Sequence, residues 1–478
     1  MSEFKQLILK GIAWSAGAQI GKQALGFFIT MILMRLLSPS DFGLMGMVTV
    51  FTGFAWLFSA FGFGDALIQS QVVEERHYSS VFWLNILISI ILMGTFLLAA
   101  PAIAHFYKEP RLVALILISS FIFPIGSLSG VQHSILTKKL EFKKIGIIET
   151  FSMIVAGVAA ILIAYSGYGV YALVWKIFIH TSLRVIIVWI VSAWTPRLIF
   201  DFKAIKDLMG FSLNLFGLQI FNYWVRNADN LLIGKFIGSS GLGIYSRAYS
   251  LMLLPVVQVN RVLGRVIFSA LSKIQEDKRR IKSIYLRAIY SIGLISFPLM
   301  LGLAVVSKEF ILVLFGPKWE AAIPVLQVLC LVGLFQSIAS TTGWIYNSQG
   351  KTDLHFKWGI FGGILTFIAF SIGINWGVMG VAVAYLIRVY GISYFHLAIP
   401  AKLINLTFKE IIQRLSGIFF AALLMAVIVW GIGLILPVHW SLWGQLALKV
   451  CSGAIIYITL LYISGQWVRI RRELIFSS

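Results

Sequence analysis

Charge is what this sequence has least of. Asp, Glu, Lys and Arg make up 12% of its 478 residues, about half of the roughly 25% usual in soluble domains. A soluble chain of this length could bury large cores, but it would still need a charged skin. Disorder is excluded as well, because 59% of the residues are hydrophobic and such a chain collapses. Cysteine is nearly missing. Cys330 and Cys451 both sit in apolar runs, which leaves no disulfide framework and no metal set. The histidines show no metal-ligand spacing. There is no P-loop, no Asp-x-Asp pair and no HExxH, so nothing points to a cofactor, nucleotide hydrolysis or glycosyl transfer. The alternating ten-residue strands of a membrane β-barrel are absent too.

What is present is a series of long apolar runs. A spanning helix needs about 20 mostly apolar residues. That ruler predicts an all-α polytopic membrane protein with fourteen segments: 8–36, 42–69, 79–106, 111–136, 143–165, 168–193, 206–237, 242–271, 284–306, 320–347, 354–374, 378–400, 409–436 and 442–466. The breaks are short, as at Ser38-Pro39-Ser40 and Gly316-Pro317. None has room for a soluble catalytic domain.

The net charge of +21 could suggest nucleic acid, but cytoplasmic loops of membrane proteins collect Lys and Arg. With fourteen segments both termini share a side. That side carries 24 basic residues against 7 on the other, so both termini are expected in the cytoplasm. The opening MSEFKQLILK has no small-residue cleavage site and reads as a retained end rather than a signal peptide.

Shifted by 200 residues, the chain resembles itself. Gly17-Ala18-Gln19-Ile20 falls on Gly217-Leu218-Gln219-Ile220, Arg35 on Lys235, Gly43 on Gly243 and Gly64 on Gly264. Further on, at an offset of about 213, Gly130, Lys138, Lys144 and Gly146 meet Gly343, Lys351, Lys357 and Gly359. The matches recur at equivalent places in the segment map. They predict two six-helix lobes, 1–198 and 199–402, related by a pseudo-twofold along the membrane normal, followed by two extra helices and a basic tail in 403–478. Two lobes around a cavity is a transporter design.

The residues that carry a resemblance are Ser38-Pro39-Ser40-Asp41-Phe42-Gly43, Gly62-Phe63-Gly64-Asp65-Ala66, Arg226-Asn227-Ala228-Asp229-Asn230, Gly241-x-Gly243-x-Tyr245, Leu254-Pro255 and Ser269-Ala270-Leu271-Ser272-Lys273. With these the chain resembles the multidrug/oligosaccharidyl-lipid/polysaccharide exporter superfamily, and most of all its polysaccharide repeat-unit flippases. Lipid-II flippases of that superfamily share the eighth-segment pattern, but their several basic residues in the first two segments are thinner here. The resemblance implies a bacterial inner-membrane flippase that is not an enzyme. Its substrate would be an undecaprenyl-diphosphate-linked oligosaccharide, moved to the outer leaflet by alternating access. Its surroundings would be membrane lipid and other polysaccharide-assembly proteins. In the lipid-II flippases the extra helix pair forms a groove for the prenyl chain; here that pair reads equally as plain lipid-facing helices.

A charge at the bilayer centre costs about 3 kcal/mol or more, so it usually faces a wet cavity. Polar residues recur at helical spacing in three segments: Gln19 with Lys22; Gln219, Asn222 and Arg226; and Gln258, Arg261 and Arg265. Together with Arg388 these are the candidate substrate-binding residues, since arginine suits the oxygens of a diphosphate. Arg226 and Asp229, three apart, read equally as a mutually neutralising pair. Asp65 faces Arg265 under the repeat and is a candidate gate with it. Arg184 and Lys449 are expected to snorkel to membrane ends, Glu149 to pair with Lys143 or Lys144, and His180 to be a satisfied core residue. The alternatives are a lipid-II-type flippase, a drug or cation antiporter on the same fold, which would want more carboxylates, and a glycan-polymerising membrane enzyme, which would want a longer outer loop.

Overall fold

The computed structural model describes residues 19, 21–60, 63–70, 73–437 and 439–466, apart from the side chains of 59–60, 65, 209–219, 221–222, 259, 261–263, 265–266, 268–270 and 272–273. Most of the described residues are helical, and none of them is in a strand. Nine helical stretches among them are long and apolar enough to cross a membrane, or ten if one bent pair counts as a span. The protein is therefore a multi-pass membrane protein.

The chain divides into two compact units, 1–243 and 244–478. The first holds α1 (21–36), α2 (Pro39–Ala60), α3 (Phe63–Gln69), α4 (Glu75–Tyr107), α5 (Leu112–Ser120), α6 (Ile122–Ser127), α7 (Gly130–Lys138), α8 (Phe142–Tyr165), α9 (Tyr171–Ser192) and α10 (Phe202–Phe236). Helix α11 (Ser239–Lys273) starts in the first unit and continues into the second. There follow α12 (Lys278–Leu314), α13 (Ala322–Ala339), α14 (Thr342–Ser348), α15 (Thr352–Gly373), α16 (Gly377–Gly391), α17 (Ser393–Leu403), α18 (Phe408–Ile435) and α19 (Leu442–Ile463).

Local chemistry sets the helix ends. At α2, Pro39 follows Ser38, whose backbone N–H and hydroxyl both donate to Asp41, at 2.9 and 2.6 Å. Asp41 returns its own N–H to Ser38. This closes the orphan donors of the first turn, with proline where its missing N–H is not needed. Thr407 and Glu410 make the same reciprocal box at α18. Asp201 caps α10 through the Lys203 N–H. Helix α4 has 33 residues, which at about 1.5 Å each exceeds a hydrocarbon core of about 30 Å, so it tilts or protrudes.

In the first unit α8 packs on α9, and α2 packs on α4, α5 and α10. The Tyr223 hydroxyl of α10 donates to the Val50 carbonyl at 2.6 Å. At the starts of α2 and α11 two backbones meet with no side chain between them. A methyl on Gly43 would land on the Ser239 carbonyl, and one on Gly243 would land on the Pro39 carbonyl. Only glycine allows that approach. Compactness thus groups α10 with the first six segments, whereas the sequence offset predicts a lobe boundary near residue 199. The two boundaries measure different things.

In the second unit α12 is the hub, packing on α13, α18 and α19. The helical run 352–403 has 52 residues, about 78 Å at 1.5 Å per residue. It does not run straight. The chain turns at Gly377 (φ 68°), and α15 packs back on α16 through close contact of Gly373 with Gly380.

Candidate substrate-binding site

The fourth apolar run does not make one straight helix. It breaks into α5, α6 and α7, and the chain bends by 42° between α6 and α7. The string Gly126-Ser127-Leu128-Ser129-Gly130 lies at the bend and has little bulk. Beside it, within the first unit, is a cavity of about 420 Å³. Its walls come from Trp56 of α2, Gly64 and Ile68 of α3, Asn85 of α4, Ser127, Ser129, His133, Ser134 and Thr137 around the bend, and Arg184 of α9. Gly126 is needed here, because a methyl would strike the Trp56 ring. Lys138 ties the far end of α7 to α3, donating to the Leu67 and Ser70 carbonyls at 3.2 and 2.8 Å.

A charged cluster adjoins this cavity. Glu149 of α8 accepts from Lys22 of α1 at 2.6 Å. Its other oxygen lies 3.8 Å from Arg184, and His180 approaches to 3.8 Å. Arg184 also reaches the Ser129 hydroxyl at 3.4 Å, while its Nε is buried with no hydrogen-bond partner. These positions correct two expectations. Glu149 does not pair with Lys143 or Lys144; Lys144 pairs with Glu141 at 2.7 Å, one turn before it. Arg184 does not snorkel, because Glu149 and Ser129 hold it inward. Lys22 was expected to line a cavity and is engaged with Glu149. His180 belongs to the charged cluster.

The second unit holds a different arrangement. Lys449 of α19 donates to Glu309 of α12 at 2.7 Å, and the two side chains are only 9% and 7% exposed. The expectation that Lys449 snorkels is therefore also corrected: a buried carboxylate within reach removes the need to find water. Arg388 of α16 donates to the Gly362 carbonyl of α15 at 2.6 Å.

Of the remaining candidates, Gln19 and Arg226 are exposed, Gln258 is partly buried, and Asp229, close to Arg226 in sequence, is buried. The side chains of Asp65, Gln219, Asn222, Arg261 and Arg265 lie outside the described residues. Sequence reasoning missed the cavity, Asn85, His133 and the Glu309 partner. The small-residue string at 126–130, followed at once by Gln132 and His133, is the one local signal that could have pointed to a broken span.

The model of the polysaccharide biosynthesis protein family matches residues 32–324, well over half of the chain. The chain belongs to this family. It is 30% identical over 469 residues to the teichuronic acid biosynthesis protein TuaB of Bacillus subtilis, covering 96% of each chain. It is 27% identical over 449 residues to the lipopolysaccharide biosynthesis protein WzxC of Escherichia coli, covering 93% of this chain and 90% of that one. Among solved structures it resembles the lipid II flippase MurJ in an inward closed conformation, with a TM-score of 0.78, 17% identity, and coverage of 96% and 99%. At that identity the likeness shows the fold. The members it resembles are membrane transporters rather than enzymes.

Proposed function

We propose that this protein is a flippase that moves an undecaprenyl-diphosphate-linked oligosaccharide repeat unit from the cytoplasmic to the outer leaflet by alternating access. The observation that carries the reading is the combination, over 96% of the chain, of kinship with a polysaccharide biosynthesis protein and the fold of a lipid II flippase. The membrane potential suits such a cargo. An inside-negative potential favours outward movement of an anion by about 2.3 kcal/mol per charge per 100 mV.

The full reading has fourteen spans in two six-helix lobes with α18 and α19 outside the repeat, and both termini in the cytoplasm of a bacterial inner-membrane protein. The repeat is supported by the reciprocal contact of Gly43 with Ser239 and of Gly243 with Pro39. The offset of 200 exchanges these two contacts, as a local twofold requires. The folding back at Gly377 supports a count above nine. Arg226, Arg261, Arg265 and Arg388 remain the proposed contacts to the cargo, and α18 with α19 the proposed seat of its lipid tail. A cationic cargo fits less well, because Glu149 and Glu309 are each held by a lysine. Other polysaccharide-assembly proteins are the proposed partners.

Deleting the gene tests the proposal. Surface polysaccharide should disappear while its lipid-linked repeat unit accumulates in the inner leaflet. Normal surface polysaccharide without accumulation would overturn it.

A further inference from the structure

Between α9 and α10 the chain leaves the helix and lies as a strap on the first turns of α4. Side chains of α4 tie it down. The Ser79 hydroxyl accepts from the Arg197 N–H at 3.0 Å, and the Ser80 hydroxyl accepts from the Asp201 N–H at 2.8 Å. The Trp83 indole donates to the Arg197 carbonyl at 2.8 Å. Arg76 donates to Asp201 at 3.2 Å, and the Trp194 indole donates to Glu75 at 3.1 Å. With so much of its backbone paired, the strap holds its side chains in fixed places.

Those side chains are apolar and point outward. Leu198 is 91% exposed, Phe202 69% and Phe200 55%. Such a cluster standing in water is a liability unless something covers it. Its place on α4 says what does. Trp83, Leu87, Ile91 and Leu98 fall within one face of α4 at 100° per residue, and the last three are exposed. In a helix that crosses a membrane, that stripe faces lipid. Trp83 heads it and carries the strap. On α9 the exposed pair Ile186 and Ile190 runs toward the same end. The strap thus lies where two lipid-facing stripes stop, among Trp83, Trp189 and Trp194, whose indoles each donate to a carbonyl or carboxylate. Tryptophans with a wet end and an apolar body mark the headgroup level. Charge points the same way. Arg197, Lys203 and Lys206 are exposed and make no ion pair among the described residues. The acids beside them are engaged: Glu74 and Asp201 pair with Arg76, and Glu75 accepts from Trp194. Asp207 alone stays exposed on the first turns of α10.

We propose that the strap and the first turn of α10 form a foot seated in the bilayer interface and bind anionic phospholipid there. Leu198, Phe200 and Phe202 lie at the acyl boundary, and Arg197, Lys203 and Lys206 meet the lipid phosphates. That the leaflet is the cytoplasmic one rests on the orientation proposed above; the insertion itself does not. A soluble protein partner would need the same apolar side chains to stand in water, so the test reads where they stand.

The experiment uses the full-length protein in lipid nanodiscs. Cys451→Ala removes the exposed native thiol, and Leu198→Cys carries a nitrobenzoxadiazole fluorophore. Doxyl-labelled phosphatidylglycerol and doxyl-labelled phosphatidylcholine probe it from the lipid side, and dithionite probes it from water. Both lipids should quench the label, the phosphatidylglycerol about twofold more strongly. Dithionite should bleach it more slowly than the same label on Gln275→Cys, in the exposed turn before α12. Arg197→Gln, Lys203→Gln and Lys206→Gln together should erase the preference for phosphatidylglycerol and leave quenching by phosphatidylcholine in place. Bleaching as fast as at residue 275, without quenching by either lipid, would overturn the proposal and assign the strap to a soluble partner. Equal quenching by the two lipids with the basic residues intact would overturn it too, as would a preference that survives their removal. Neither readout involves transport, so failure of the foot and failure of the flippase reading give different results.

Discussion

Each unit carries a carboxylate within a membrane-spanning helix, and the two are treated differently. Glu309 meets one lysine at 2.7 Å in a closed site between α12 and α19. Glu149 is shared among Lys22, Arg184 and His180 beside a cavity. The first is one acid against one base with both side chains less than a tenth exposed, so its geometry holds two helices together. The second is shared among several basic groups, one of which, Arg184, lines free volume. The stoichiometry of charge and access to space separate a structural staple from a site. The presence of an ion pair alone does not, because a buried pair by itself is weak evidence of net stabilisation.

The contrast can be broken most directly at Glu309. Glu309→Ala strands the Lys449 ammonium and should cost about 3–5 kcal/mol, read as thermal unfolding of purified protein. Joint replacement by Glu309→Leu and Lys449→Met should recover most of the loss. A double variant as unstable as the single one would show that the pair is not a closed unit.

Glu149→Gln should cost less, about 1.5–3 kcal/mol, the range for a hydrogen bond to a charged group, because the cations it leaves behind adjoin a cavity. A loss equal to that of Glu309→Ala would erase the contrast between the two sites. Arg184→Gln should change stability by no more than about 1 kcal/mol. It should still lower surface-polysaccharide export about tenfold, which corresponds to about 1.4 kcal/mol of lost interaction. Full export at matched protein level would move Arg184 into the structural class with Lys449.

The smallest effect is expected outside the spans. Asp201 accepts from the Lys203 N–H at 2.8 Å and from Arg76 at 3.2 Å. These contacts, the backbone one first, hold its carboxyl below its ordinary value. A lowered folded value means the stabilisation is complete above the unfolded value, near 4. It is lost as pH falls through the folded value. Asp201→Asn should therefore lower the unfolding temperature slightly at pH 7 and not at all well below pH 4. A difference that persists in acid would show that the side chain acts through packing and not through charge.

How much could be read in advance differs between helices and side-chain partners. The segment 143–165 lies within a residue of α8, and 442–466 close to α19, because apolar length and a cap are local properties. Glu149 lies inside α8 as its apolar run predicts, but its partner is not the expected one. Lys143 and Lys144 are near in sequence, while Lys22, 127 residues away, is near only after α1 meets α8. Lys449 failed for the same reason, since its partner Glu309 is 140 residues away. The break at 126–130 was hidden because glycine and serine interrupt an apolar run without lowering its hydropathy enough to split it.

Composition alone therefore determined that this chain lives in a membrane. A surface with so little charge has no other solvent, and a spanning backbone must satisfy its own hydrogen bonds, which makes it helical. At an offset of 200 residues Gly43 falls on Gly243 in the sequence, and a methyl on either would strike the backbone at the start of the other's helix. Which buried charges are balanced, and which one faces a cavity, was decided only by the tertiary structure. Coulomb attraction and desolvation depend on distance and surroundings within a few ångströms, and separation along the chain does not encode either.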